Sequence, residues 1–185
     1  MDNGACSYRR YLNGDKQGMA DIVEEYKDGL TLYLNGYVGN LSLAEELTED
    51  TFFRLFSKKP RFSGKSSFKS WLYAIGRNVA VNHIHRSARL PVTPLEAVEN
   101  HLADQQDLER AYIREEDKLS LHRGMAQLPE DYRAVLWLVY FEEFSNGEVA
   151  VALGKNERQI RNLLYRAKQS LKLTLEKEGF VYEEL

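Results

Sequence analysis

An all-α fold of two small helical domains joined by a linker, the second of them a helix-turn-helix, is predicted by three observations. Apolar residues recur at helical spacing over most of the chain, no strand-like alternation of useful length occurs, and two closely spaced prolines, Pro91 and Pro94, interrupt the helical pattern near its middle. The predicted division is a first domain over residues 1–91, an acidic linker over 92–106 and a second domain over 107–185.

The elements follow in order. Residues 1–15 read as a frayed terminus with an inert Cys6. Ile22, Val23, Tyr26, Leu30, Tyr33, Leu34 and Tyr37 then mark one helix, which Gly36, Gly39 and Asn40 break. Ser42 with Glu45 three residues on reads as a capping box, and the helix behind it buries Leu43, Leu47, Phe52 and Leu55. Residues 60–67, with Pro60, Gly64 and three serines, read as a loop, and Phe68, Leu72, Ile75 and Val79 as the apolar face of the next helix. Past the linker, Leu108, Leu119, Leu121, Met125 and Leu128 resume the period. Pro129 starts a helix with Glu130 and Asp131 in its first turn, where negative charge suits the helix dipole, and with Val135, Leu136, Leu138, Val139 and Phe141 buried. Asn146 to Leu153 forms a short helix that Gly154 ends in the left-handed conformation; Lys155 and Asn156 turn the chain. Glu157 opens a longer helix with Ile160, Leu163, Leu164, Ala167 and Leu171 inward, and Ala150 facing Ile160 allows the close two-helix crossing.

Composition narrows the function classes. With 185 residues, 43% of them hydrophobic, and only 4 Pro and 12 Gly, the chain can pack a core. No apolar run approaches the roughly 20 residues that span a bilayer, and the N-terminus has no secretory pattern. The single cysteine fits a reducing compartment, so the expected location is cytoplasmic, without stable membrane insertion.

Charge is segregated although the net charge is only −3. Residues 1–53 hold ten acids and four bases; residues 54–89 hold nine bases and no acid. Residues 96–117 hold eight acids, and residues 155–172 hold six bases against Glu157 alone. Two basic zones flanking an acidic one point to two nucleic-acid contacts with a spacer between them. The first zone interleaves Arg54, Lys58, Lys59, Arg61, Lys65, Lys69, Arg77, Arg86 and Arg89 with Phe56, Phe62, Phe68, Trp71 and Tyr73. Cations that hold a backbone and rings that stack on unpaired bases are what a single strand needs. Tyr73, on the Lys65, Lys69, Arg77 stripe, is expected to be exposed, whereas Trp71 stays open between core and contact surface. In the second zone the outward face of the last helix carries Arg158, Gln159, Arg161, Asn162, Tyr165, Arg166 and Lys168, and Arg, Asn and Gln are the side chains that read base edges in a major groove.

No phosphate loop, nucleophile–base pair or metal-ligand spacing is visible. His83 and His85, two apart, point to different sides of a helix, and His101 and His122 read as solvated. No cofactor, no metal and no catalysis by the chain itself are expected.

Four segments, in order and correctly spaced, resemble bacterial RNA polymerase sigma factors of the extracytoplasmic-function (ECF) type: residues 44–55, 62–78, 128–133 and 145–150, the last followed by Arg166 and Ala167. The resemblance runs from about residue 15 to 172. It implies a promoter-specificity subunit that binds core RNA polymerase, engages and melts the −10 element with its first domain, and binds the −35 element as duplex with its second. The acidic linker would thread toward the RNA exit path, its charge mimicking nucleic acid. By position, Glu46, Leu47, Asp50, Thr51 and Arg54 match the polymerase-docking helix. Lys69, Trp71, Tyr73, Arg77, Asn78, Asn82 and Arg86 fall to −10 binding and melting, with Asn78 matching a residue that holds a flipped base. Arg158, Gln159, Arg161, Asn162, Tyr165 and Arg166 fall to −35 binding. The chain departs from the family pattern at Glu46, where Asp is usual, at Glu49, where Gln is usual, at Gln159, where Thr is common, and at Leu163, where a base is common. Anti-sigma factors are frequent partners in the family; no residue here identifies one. The rival readings are a stand-alone helix-turn-helix regulator, which leaves the acid-free strip unexplained, and a helical decoy that binds polymerase without opening DNA.

Overall fold

The computed structural model describes residues 2–88, 121 and 123–177. The arrangement is helical, with no strand among the described residues. The elements are α1 (Asn3–Leu12), α2 (Gln17–Val38), α3 (Leu41–Lys58), α4 (Phe68–Ser87), α5 (Glu130–Tyr140), α6 (Asn146–Leu153) and α7 (Glu157–Lys177). The expected linker over 92–106, with Arg89, Leu108, Leu119, His101 and His122, lies outside the described residues.

The N-terminus is not frayed. It forms α1, which packs across α2 and the start of α4. Asp2 explains why: one carboxylate oxygen accepts from Ala5 N (3.1 Å) and caps α1, while the other accepts from Phe68 N (2.6 Å) at the first turn of α4. A single side chain thus satisfies free N–H groups on two helices. Tyr8 is 2% exposed and donates to the Pro60 carbonyl (2.7 Å); Tyr11 donates to the Phe56 carbonyl (2.9 Å). Gly4 permits this approach, since a Cβ there would collide with the Phe68 ring and the Tyr26 hydroxyl. Cys6 is half-buried on the same helix.

Gly39, at φ 64°, ends α2 in the left-handed region. Asn40, not Ser42, caps α3: its backbone is extended and its side chain accepts from Leu43 N (2.9 Å). Asn caps a helix as well as Ser does, so the helix starts earlier and Ser42 falls into its first turn. Inside, Thr31 donates to Thr48 (3.0 Å), which donates to the Ala44 carbonyl (2.8 Å), so these buried hydroxyls between α2 and α3 are paired. Ser67 caps α4, accepting from Ser70 N (3.3 Å). Phe68, Leu72 and Val79 are buried as expected and Ile75 is half-buried.

In the second half, α5 buries Val135, Leu136 and Leu138. Val139 is only half-buried and Phe141 is exposed, against expectation, because α5 stops at Tyr140 and the chain leaves the core there; Phe141 stacks on Trp137 instead (centroids 4.4 Å apart). Ser145 and Glu148 form a full capping box at the start of α6, and Gly154, at φ 62°, ends it. Asn156 N donates to Gln159 Oε1 and Gln159 N to Asn156 Oδ1, both at 2.9 Å, so the turn is closed by a second reciprocal cap that starts α7. Ile160 and Ala167 are fully buried, and Leu163, Leu164 and Leu171 pack partly buried against the core.

The two halves share one core. α6 lies along α4, and α5 against α2. Tyr33, at the centre, has its ring 5.1 Å from that of Tyr73 and bonds Tyr37 through their hydroxyls (3.0 Å). Burial pushes the Tyr37 hydroxyl up to about 12, raises Tyr8 to about 12, and raises Tyr26 and Tyr33 as well. Each raised group stays protonated in the folded chain after it would ionise in the unfolded one. The stability it contributes is complete below pH about 10 and is lost as pH rises toward 12. We expect a cooperative loss of helical circular dichroism in that window. A chain carrying Tyr8→Phe and Tyr37→Phe should lose its helicity at higher pH than the parent.

Candidate nucleic-acid interface

Each predicted contact residue can now be placed. On α3, Glu46 and Asp50 are exposed and Arg54 is half-buried on the outward face. Leu47 and Thr51 point the other way: Leu47 is 4% exposed and Thr51 fully buried, its hydroxyl donating to the Leu47 carbonyl (2.7 Å). They hold the helix to the core and set the height of the charged face rather than forming part of it.

α4 divides along its length. Its C-terminal half presents Asn78, Asn82 and Arg86, all exposed and spaced so that they line one helix face. Its N-terminal half is covered. Lys69 and Arg77 are half-buried, and Tyr73 is fully buried, contrary to the expectation of exposure. Lys69, Tyr73 and Arg77 do share a face of α4, while Lys65 falls in the loop before it, and the turn before α6 lies over the start of that face. Tyr73 packs its ring 5.4 Å from Phe144. Trp71, undecided from sequence, is half-buried in an aromatic cluster, 5.6 Å from Tyr8, 5.0 Å from Phe62 and 5.6 Å from Phe68. The end of α3 and the loop ahead of α4 expose Lys58, Lys59, Arg61 and Lys65, with Lys59 lying over the Tyr11 ring (5.2 Å).

The second basic zone is open throughout. Arg158, Gln159, Arg161, Asn162, Tyr165 and Arg166 are all exposed on the first turns of α7, Tyr165 at 67%. Arg161 pairs with Glu157 at 3.7 Å, but both side chains are more than half exposed, so solvent screens the pair and leaves the guanidinium available. Gln159 has its carbonyl oxygen engaged in the cap of α7, which leaves its amide N–H groups to reach outward. Lys155 pairs with Asp131 (3.2 Å) and ties the turn of the helix-turn-helix to α5.

Sequence reasoning did not single out Glu142, Phe144 or Glu148, which touch the start of α4. The Ser145–Glu148 capping box was readable from its spacing; the contacts to α4 were not. Burial pushes the Glu148 carboxyl up, yet hydrogen bonds from Ser67 and from the Ser145 N–H and hydroxyl, with Lys69 nearby, outweigh it and hold the carboxyl below the usual range. Among the described residues no group of three or more His, Cys, Asp or Glu could hold a metal, and no helix is long and apolar enough to cross a membrane.

Exposed Arg, Asn and Gln on the first turns of α7, and exposed cations and amides before α4 and on its second half, give one chain two surfaces suited to nucleic acid. Comparison with known proteins agrees. Residues 22–90 match Sigma-70 region 2, and residues 118–171 match Sigma-70 region 4. The RNA polymerase sigma-H factor of Pseudomonas aeruginosa is 29% identical over 90% of this chain and 91% of its own length. The ECF sigma factor SigC of Mycobacterium tuberculosis is 33% identical over 73% of this chain and 71% of its own. Among solved structures, CnrH in complex with the cytosolic domain of CnrY aligns over 95% of this chain and 99% of its own with a TM-score of 0.68 at 18% identity. The sigma factor RpoE of Bartonella quintana, in complex with the anti-sigma factor NepR, aligns over 84% of this chain and 97% of its own with a TM-score of 0.61 at 20% identity. At those identities the two structures speak for the fold alone. Matching region models in order and a third of the aligned residues shared with SigC place the chain in the ECF sigma factors, as a promoter-specificity subunit of RNA polymerase.

Proposed function

We propose that three helix faces divide the work of this sigma factor. The outward face of α3, with Glu46, Asp50 and Arg54 and with Leu47 and Thr51 fixing it from below, docks on core RNA polymerase. α4, through Lys69, Trp71, Tyr73, Arg77, Asn78, Asn82 and Arg86, takes the melted −10 strand. α7, through Arg158, Gln159, Arg161, Asn162, Tyr165 and Arg166, reads the −35 duplex. The domain limits are 1–91 and 107–185, and the acidic linker over 92–106 follows the polymerase's basic channel. The chain does no chemistry of its own and works in the cytoplasm. CnrH and the Bartonella RpoE are each held by another protein, in the second case an anti-sigma factor, and by that likeness an anti-sigma partner belongs to the proposal.

The observation that carries this reading is the exposure of every −35 candidate on α7 directly after a doubly capped turn. A rigid turn fixes where the helix enters a groove, and exposed Arg and Asn at its start are placed to read base edges.

Asn78→Ala separates the two DNA roles. Its side chain is exposed on α4 and far in sequence from α7, so −35 duplex binding should be unchanged. Opening, read as permanganate reactivity of promoter thymines in the complete holoenzyme, should fall by about tenfold, the scale of one lost base contact of roughly 1–3 kcal/mol. Equal losses in both steps would remove Asn78 from the melted-strand site.

A further inference from the structure

The turn between α5 and α6 sits where the melted strand should go. Glu142 Oε2 pairs with Lys69 Nζ at 2.8 Å, and the Glu142 side chain is only 8% exposed. Lys69 Nζ also donates to the Glu142 carbonyl (3.3 Å), and Trp137 Nε1 holds the carboxylate from behind, at 3.1 Å from Oε1. Phe144, 6% exposed, packs its ring 5.4 Å from that of Tyr73, and Lys69 lies over both rings, at 5.2 Å from Phe144 and 5.9 Å from Tyr73. The residue between them, Glu143, has φ 57°, a conformation that side-chain-bearing residues rarely adopt. That left-handed step lets Glu142 and Phe144 both face α4, and strain of this kind persists only where surrounding contacts enforce it.

We propose that Glu142 and Phe144 are an intramolecular stand-in for the melted strand: the carboxylate takes the place of a phosphate on Lys69, and the ring takes the place of an unpaired base on Tyr73. The inference rests on the assignment of Lys69 and Tyr73 to the −10 contact. A strand and this turn need the same cation and the same ring, so they exclude each other. The free chain is therefore closed over the first half of α4, with Asn78, Asn82 and Arg86 left open, and the −35 domain must lift away before the strand is gripped. Affinity for single strands is then reduced by the fraction of chains that are open.

One position is built to allow the closure. A Cβ on Gly29 of α2 would lie 2.7 Å from the Tyr73 hydroxyl and 3.1 and 3.4 Å from the Glu142 carboxylate oxygens. Gly29→Ala should crowd the Tyr73 hydroxyl as well as the Glu142 carboxylate and so wedge the turn off, with Lys69, the other proposed DNA contacts and the net charge unchanged. Glu142→Gln should open it by removing the ion pair and, with it, one negative charge.

The test measures binding of a short fluorescein-labelled single-stranded DNA of mixed sequence to the full-length chain and both variants by anisotropy. Domain separation is read in parallel from spin labels at exposed positions 57 and 169 in a Cys6→Ser background. Both variants should bind about tenfold more tightly than the parent and show a longer distance between labels. A gain in Glu142→Gln alone would be a charge effect and would overturn the proposal, as would unchanged distance in two variants that keep full helicity. Longer distance without tighter binding would overturn the mimicry. Transcription by core polymerase with the parent chain reads the sigma assignment separately, so a failed closure leaves that assignment standing.

Discussion

Phe68→Ala should lower stability by about 3–5 kcal/mol, the largest single loss expected in the first domain. Phe68 is fully buried, with its ring 5.5 Å from Tyr8, 5.8 Å from Tyr26, 5.7 Å from Phe62 and 5.6 Å from Trp71. Those partners come from α1, α2, the basic loop and α4 itself. They cannot all move inward, because Tyr8 is pinned through its hydroxyl to Pro60 and the α4 N-terminus is pinned through Asp2. The cavity therefore stays largely open, which places the cost at the upper part of the range. A chain with a total stability of about 5–15 kcal/mol has little to spare for such a loss. Urea unfolding followed by circular dichroism measures it; a loss under about 1 kcal/mol would mean that the aromatic cluster does not close around Phe68. Function should fall with stability, since the same cluster fixes the direction in which α4 leaves the basic loop.

Arg161→Ala should weaken binding to the −35 duplex by about 1–3 kcal/mol, roughly fivefold to more than a hundredfold, and should relax sequence preference at one base pair. Stability should barely change, because the ion pair that Arg161 makes with Glu157 is screened by solvent. That combination sets a base reader apart from a structural cation. Lys172→Ala, on the same helix and also in an exposed pair, with Glu176 at 3.8 Å, gives the contrast: if it contributes at all, it should weaken all duplexes alike and reduce the salt dependence. Unchanged affinity in Arg161→Ala would take that residue out of the site.

The helix-turn-helix was legible almost to the residue. Gly154 can adopt the left-handed conformation that stops α6, Ile160 and Ala167 recur at helical spacing, and both signals are local. Where sequence reasoning failed, the deciding partner lay far along the chain. Tyr73 shares a face with Lys69 and Arg77, so its own helix gives no hint of burial; its ring is covered by Tyr33 of α2 and by Phe144, seventy-one residues on, from the other domain. Within residues 1–15 the helical spacing of Ala5, Tyr8 and Leu12 escaped sequence reasoning because the run is short and polar, and the contact that docks α1, Asp2 reaching Phe68 N, lies sixty-six residues away. Family likeness marked Leu47 and Thr51 for polymerase docking, but likeness carries no direction, and both side chains point into the core. At α3 two caps were available in the sequence, and Asn40 prevailed because the left-handed Gly39 before it already delivers an extended residue at that point. Glu142 left no mark at all: an acid after a helix end reads as solvated until the lysine it meets is known.

On the proposed division of helix faces, one promoter-specificity subunit holds DNA through separate single-strand and duplex surfaces and lends both to the polymerase. The most direct test is transcription in vitro by sigma-free core RNA polymerase on genomic templates, with and without the chain. Discrete start sites that appear only when the chain is added, and that vanish in Asn78→Ala at the opening step, are the predicted result. No start on any template, with the chain alone retarding specific duplex DNA, would contradict the account and identify a stand-alone regulator.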